Sequence, residues 1–128
     1  MTTNPLFTQV KIAITQWLKN NGENFENKNV SIAILQDDEI CLRVEFRFEK
    51  CLAEAIVTEP DFAPYRFVEF DAFSLHEEMS GEAWFGKYKA VPKRVHYWCD
   101  EKANNIEEII ENLNKAIDIV WEYNNKIS

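Results

Sequence analysis

Apolar residues recur at helical spacing near the start of the chain and predict an amphipathic helix there. The stripe consists of Leu6, Val10, Ala13, Ile14 and Trp17. Asn4 is the predicted N-cap, and Pro5 suits the first helical position. Asn20-Asn21-Gly22 predicts a left-handed stop, and the polar residues 23–29 that follow are expected to form a loop.

Strict alternation of apolar and polar residues marks the clearest strand of the chain. Its apolar positions are Ile40, Leu42, Val44, Phe46 and Phe48. Such alternation is typical of an antiparallel sheet with one buried and one wet face. An earlier strand is predicted over Val30–Leu35. A tight turn at Glu49-Lys50 should lead into a third strand, Cys51–Thr58, which Glu59-Pro60 ends.

A fourth strand is predicted over Tyr65–Phe73. Its inward set is Arg66, Val68, Phe70 and Ala72, and its outward set is Tyr65, Phe67, Glu69, Asp71 and Phe73. Residues 74–81 are expected to form a polar loop. Two further strands are predicted near Ala83–Tyr88 and Arg94–Trp98, with a break at Pro92.

A second amphipathic helix closes the chain. Its stripe is Ile106, Ile109, Ile110, Leu113, Ala116, Ile117 and Val120. Asn104 or Asn105 is the expected cap, with Glu107 or Glu108 completing a capping box. The element order predicts an α+β two-layer sandwich. An antiparallel sheet of four to six strands is covered on one face by the N-terminal and C-terminal helices.

Composition bounds the classes of partner. The chain has 128 residues with 22 acidic and 14 basic side chains, for a net charge of −8. Such a surface repels nucleic acid and anionic membranes and attracts a basic protein, although acidity also serves solubility alone. Length predicts one domain over residues 1–128. The lack of a signal-peptide pattern at the N-terminus predicts a cytoplasmic protein.

Cysteine usage fits that compartment. Cys41, Cys51 and Cys99 form no C-x-x-C pair, and an odd number does not suit a disulfide framework. With the turn at Glu49-Lys50, Cys51 lies opposite Phe48 and far from Cys41. Reduced thiols are therefore expected.

The sequence contains no recognisable motif for catalysis or for binding a cofactor or a metal ion. We therefore expect neither a cofactor nor a metal ion to be bound. His76 lies in the predicted loop, and His96 in a basic, aromatic strand. A Cys99–histidine nucleophile pair and a Glu69/Asp71 carboxylate pair remain the enzymatic alternatives. They are weaker than a binding role, because isolated groups of these types are common on protein surfaces.

Aromatic rings interleaved with carboxylates are the more informative pattern. Rings supply desolvated contact area, and acids pair with Lys or Arg across an interface. The predicted partner-binding residues are Tyr65, Phe67, Glu69, Asp71, Phe73, Glu77 and Glu78. The basic run Lys87–Arg94 suggests a nucleic-acid platform less strongly than an edge strand guarded by lysine.

Four functions compete on these observations. In size, charge and class, though in no motif, the chain resembles bacterial immunity proteins. This resemblance implies an inhibitor that neutralises a basic toxin or nuclease. An acidic secretion chaperone of the type III kind, a dimer that binds an extended effector segment, is the alternative. The third hypothesis is a small enzyme, and the fourth is a nucleic-acid-binding module. The sequence leaves monomer and homodimer open.

Overall fold

A computed structural model describes residues 5–58, 67–84, 87–100 and 105–126. For residues 5, 6 and 76–92 it describes the backbone only. Its elements are α1 (Pro5–Asn20), α2 (Gly22–Asn27), β1 (Ser31–Asp37), β2 (Cys41–Arg47), β3 (Cys51–Thr58), β4 (Val68–Trp84), β5 (Lys87–Cys99) and α3 (Ile106–Lys126). The strands form one antiparallel sheet in the order β1-β2-β3-β4-β5. With α1 and α3 packed on it, the predicted α+β fold is confirmed.

The core lies between the sheet and the two long helices. Alternate residues of β2 (Leu42, Val44 and Phe46) are at most 1% exposed, as the alternation predicted. Rings of Trp17, Phe46 and Phe70 pack together with centroids 6.0 and 6.2 Å apart. Each fully buried side chain of this size contributes about 1.5–3 kcal/mol, so this layer holds the helices on one face of the sheet.

The loop predicted for residues 23–29 is wrong, because α2 occupies most of it. Asn21 has a φ of −107°, so it is not the left-handed stop. The left-handed residue is Asn29, with a φ of 59°. Phe25 explains the difference. Its ring is 2% exposed, and its centroid lies 5.7 Å from that of Trp17. This burial stabilises a helix that the polar residues around Phe25 do not predict.

The hairpin between β2 and β3 follows the prediction. The Phe48 N–H donates to the Cys51 carbonyl at 2.9 Å, which confirms the turn at Glu49-Lys50. The Lys50 N–H donates to Asn124 Oδ1 at 2.6 Å, so α3 clamps this turn. Cys41 lies opposite Thr58, and all three cysteines are free.

Burial raises the pKa of the Cys41 and Cys51 thiols. Both groups therefore stay protonated at neutral pH, and a protonated thiol is a poor nucleophile.

The strands after residue 73 are longer than expected. The loop predicted for 74–81 is wrong, since these residues continue β4. The strand predicted near Ala83–Tyr88 is wrong, since β4 ends at Trp84 and β5 begins at Lys87. The strand predicted over Arg94–Trp98 lies within β5, but the expected break at Pro92 is wrong, because β5 runs through Pro92. Pairing with β3 stops at Ser74. Beyond it, within the described residues, β4 pairs with β5 alone. Pro92 is tolerated because β5 is an edge strand.

A buried carboxylate anchors the start of β4. Asp100 is 2% exposed, and its Oδ1 accepts hydrogen bonds from the Phe67 and Val68 N–H groups, both at 2.8 Å. The Asp100 N–H in turn donates to the Val68 carbonyl at 3.1 Å. Burying a carboxylate is costly unless it is hydrogen-bonded, and here it ties the end of β5 to the beginning of β4.

The last helix begins at the predicted cap. Glu108 N–H donates to Asn105 Oδ1 at 2.8 Å, and Asn105 N–H donates back to Glu108 Oε1 at 3.3 Å. This reciprocal pair is the expected capping box, with Asn105 rather than Asn104. Of the helices within the described ranges, none is both long and apolar enough to cross a membrane.

Replacing Asp100 by Ala should lower the free energy of unfolding by about 3 kcal/mol, because two buried backbone N–H groups lose their acceptor. Urea unfolding followed by tryptophan fluorescence measures this. Asp118→Ala is the matched control. Its side chain is 61% exposed in an ion pair with Lys28, and it should cost less than about 1 kcal/mol. Equal losses would refute the anchoring role of Asp100.

His96 should make stability depend on pH. It packs on the core face of β5, its ring centroid 6.1 Å from that of Phe70, and burial lowers its pKa from the usual 6.5. The folded state thus favours neutral histidine, so stability is complete above about pH 6.5 and falls as pH drops through the lowered pKa.

His96→Gln should remove part of the stability difference between about pH 7.5 and about pH 5.5. Carboxylates titrate alike in both proteins, so the comparison isolates the histidine. Chemical unfolding at the two pH values is the measurement. An unchanged difference would show that His96 does not titrate in this window.

Candidate functional site on the open sheet face

The sheet face opposite the helices carries three rows of side chains that run across the strands. The middle row is Ala33, Glu45, Glu54, Asp71 and Tyr97. The row on one side is Ser31, Arg47, Leu52, Phe73 and Arg94, and the row on the other is Gln36, Arg43, Ile56, Glu69 and Cys99. All of these side chains are partly or fully exposed. No described helix covers this face, which we call the open face.

Three carboxylates are direct neighbours in the middle row. Glu45 lies opposite Glu54 in the β2–β3 pairing, and Glu54 lies opposite Asp71 in the β3–β4 pairing. Residues directly opposite one another in an antiparallel pair have Cβ atoms about 4.5–5.5 Å apart, and like charges there are destabilising. This carboxylate row therefore needs cations close by.

Two arginines of β2 neutralise part of the carboxylate row. The Arg43 guanidinium reaches diagonally to Glu54, with Nε and Nη2 each 2.7 Å from Oε1. This hydrogen bond to Glu54 raises the pKa of Arg43 further. Arg47 Nη2 lies 3.1 Å from Oε1 of Glu45, two residues away on the same strand. Each carboxylate on β2 and β3 thus has its own cation.

The third cation comes from the sheet edge. Arg94 binds Asp71 with two parallel hydrogen bonds of 3.0 Å, from Nε to Oδ1 and from Nη2 to Oδ2. Its guanidinium carbon also lies 5.4 Å from the centroid of the Phe73 ring and 5.1 Å from that of Tyr97. An irregularity at Val95 shifts the register, so that Arg94 and Tyr97 both reach the open face.

Beside the carboxylate row lies a shallow depression. It has a volume of about 160 Å³, and its lining combines carboxylates with apolar groups: Glu45, Leu52, Ala53, Glu54, Ile56, Asp71 and Phe73. Apolar walls next to carboxylates suit a side chain with an alkyl stem and a cationic end, because the stem is buried while the charge meets its counter-ion.

Tyr97 and Glu69 form a further polar contact on this face. The Tyr97 hydroxyl donates to Glu69 Oε1 at 2.8 Å, and this bond raises the pKa of Tyr97 to about 12. Tyr97 is 44% exposed, so its ring remains available for contact. Tyr97 therefore offers a neutral, amphipathic ring at the edge of the carboxylate row.

The described residues bear on two of the enzymatic alternatives, whereas the side chain of His76 lies outside the described residues. His96 lies opposite Ala72 on the core face, whereas Cys99 lies opposite Glu69 on the open face. The Cys99–His96 nucleophile pair is therefore wrong. Glu69 and Asp71 do share the open face, but each already holds a partner, Tyr97 and Arg94 respectively. No group of residues in the described ranges has the arrangement needed to hold a metal ion.

The predicted partner-binding residues divide into three groups. Glu69, Asp71 and Phe73 lie on the open face as expected. Tyr65 lies outside the described residues. Glu77 and Glu78 belong to β4 rather than to a loop, and their side chains are outside the description.

The prediction that the ring of Phe67 points outward is wrong. Phe67 is 7% exposed and belongs to the core. Phe67 precedes β4, so the alternation of that strand does not determine its side. Burial of an aromatic ring is also strongly favourable.

The site includes residues of β2 and β3 that the sequence reasoning did not select. They are Arg43, Glu45, Arg47, Leu52, Glu54 and Ile56. A signal was present, because the turn at Glu49-Lys50 determines the register of the two strands and already places Glu45 opposite Glu54. The polar positions of β2 are entirely charged on this face, which was the second indication.

The chain was also compared with known proteins. No protein-family model, curated protein or solved structure matches it. The open face is therefore interpreted from its own chemistry.

Proposed function

We propose that this protein binds a basic protein through the open face and thereby neutralises it, as an immunity protein neutralises a bacterial toxin or nuclease. The observation that carries the proposal is the carboxylate row Glu45–Glu54–Asp71, which lines one depression together with apolar side chains. Carboxylates next to apolar surface bind Lys and Arg side chains more strongly than isolated surface acids do, since part of the contact is removed from water.

Exchange of cations is the proposed mode of binding. The side chains of Arg47 and Arg94 are 63% and 56% exposed. An exposed ion pair with a single contact contributes at most about 1 kcal/mol, so Arg47 can turn away from Glu45 at little cost. Arg94 makes two hydrogen bonds to Asp71, which a guanidinium group of the partner would reproduce. Arginines or lysines of the partner then replace them over Glu45 and Asp71, with their stems on Leu52 and Phe73.

Long-range attraction supports the same partner. The net charge of −8 accelerates encounter with a cationic surface and slows encounter with anionic ones. The proposed complex should therefore form faster at low ionic strength, with a smaller effect of salt on dissociation.

The test compares two charge-reversed variants with the native chain. Glu54→Lys with Glu69→Lys alters the open face, and Glu107→Lys with Glu111→Lys alters the exposed side of α3. Each reversal adds two positive units, so both variants move the net charge from −8 to −4. The open-face variant should lose about 100-fold in affinity for the partner, and the α3 variant should bind nearly as well as the native chain.

The partner is first captured on the immobilised native chain from extract of the organism that carries the gene, then identified by mass spectrometry and titrated by calorimetry. Co-expression of the native chain should restore growth to cells that the partner alone arrests. A partner with an acidic surface, or equal affinity for both variants, would overturn the proposal. Glu54→Gln provides a milder open-face change if the reversal impairs folding.

A further inference from the structure

Strand β1 forms one edge of the sheet and differs from the opposite edge. Within the described residues, β1 pairs with β2 on one side and with no strand on the other. Its sequence, SIAILQD, contains no lysine, arginine or proline. The other edge strand, β5, contains three lysines, one arginine and Pro92, the residue types that discourage strand pairing. Lysine, arginine and proline, which discourage strand pairing, are thus found at one edge of the described sheet and not at the other.

The register shows which backbone groups of β1 are free. The Phe48 N–H donates to the Cys51 carbonyl, so the backbone groups of Phe48, Phe46 and Val44 point to β3. The backbone groups of the β2 residues that alternate with them point to β1. Arg47 and Glu45, opposite Ser31 and Ala33, belong to the second set. The N–H and C=O groups of Ser31 and Ala33 therefore point to β2, and those of the alternate residues Ile32 and Ile34 point to the free edge.

These free backbone groups belong to Ile32 and Ile34. Both residues lie on the helix-covered face, opposite Phe46 and Val44. Ile34 is 55% exposed and its neighbour Leu35 is 49% exposed, so apolar surface accompanies the free groups. The register shifts after Ile34, which limits the regular edge to Ser31–Ile34.

We propose that β1 accepts an extended segment of the basic partner as a sixth strand, with apolar side chains beside Ile32 and Ile34 and basic side chains on the open face. This inference rests on the proposed function and names the part of the partner that it requires. Strand addition supplies backbone hydrogen bonds, and alternate side chains supply specificity.

Charge complementarity selects a basic segment. On the open face β1 presents the small residues Ser31 and Ala33, and Glu45 lies directly behind Ala33. A lysine or arginine on the added strand can extend over Ala33 to Glu45 and replace Arg47 there. A second copy of this chain would instead bring another net charge of −8 and another acidic turn, Asp37-Asp38-Glu39, to the same edge.

The experiment uses a short capped peptide of alternating lysine and valine as the probe. Antiparallel addition makes its valine N–H groups donate to Ile32 and Ile34, while its lysine N–H groups face away. N-methylation of the valines should weaken binding about tenfold, the loss of two backbone hydrogen bonds. N-methylation of the lysines is the matched control and should change binding by less than about threefold.

Amide hydrogen exchange of the native chain gives an independent readout. The peptide should protect the N–H groups of Ile32 and Ile34, whereas those of Ser31 and Ala33 are already bonded and should change little. Equal effects of the two methylated peptides would overturn strand addition. Protection that rises with protein concentration in the absence of peptide would also overturn it, since β1 would then pair with a second copy.

Two protein variants separate this inference from the proposed function. Ile34→Pro removes an outward N–H without touching the pairing with β2 and should weaken the peptide as valine methylation does. Glu45→Gln should weaken the peptide only through the open face, because the basic side chain of the added strand is placed over Glu45. Dependence on Glu45 without dependence on methylation would refute strand addition and leave the open face standing. The reverse would support strand addition and refute the proposed function.

Discussion

The like charges of Glu45, Glu54 and Asp71 impose the main constraint on the open face. Their positions follow from the register of three strands, so no change of rotamer can move their backbones apart. Repulsion along such a row makes nearby cations necessary. Arg43, Arg47 and Arg94 provide them, and the face consists of a carboxylate row held between arginines.

The opposite face shows why these groups can gather there. Core packing determines one side of the three central strands: Val44, Ala55 and Phe70 are fully buried. The other side is then free of packing demands and available to charged residues. The two helices at the ends of the chain cover only the first side. An antiparallel sheet with one covered face of this kind leaves the second face in contact with solvent.

Much of this arrangement was predictable from local signals. Alternation in β2 predicted the strand and its buried side, and Glu49-Lys50 predicted the register with β3. The capping residues Asn105 and Glu108 predicted the start of α3. These predictions succeeded because each depends on residues close together in the chain.

Features that depend on distant contacts were not predictable in the same way. The helix α2 is stabilised because the ring of Phe25 packs against the rings of Trp17 and Phe46. Phe67 is buried where its N–H donates to Asp100. Asp71 joins the carboxylate row through the register of β3 with β4, which no short turn determines. Arg94 reaches the open face only through the irregularity at Val95.

A triple variant that neutralises Glu45, Glu54 and Asp71 to their amides tests most directly whether the carboxylate row serves binding rather than stability. Loss of three exposed ion pairs and relief of like-charge repulsion should nearly cancel. The free energy of unfolding, measured by urea denaturation, should therefore change by less than about 1 kcal/mol. A loss above about 3 kcal/mol would contradict the account, because the row would then be a structural network rather than a binding surface.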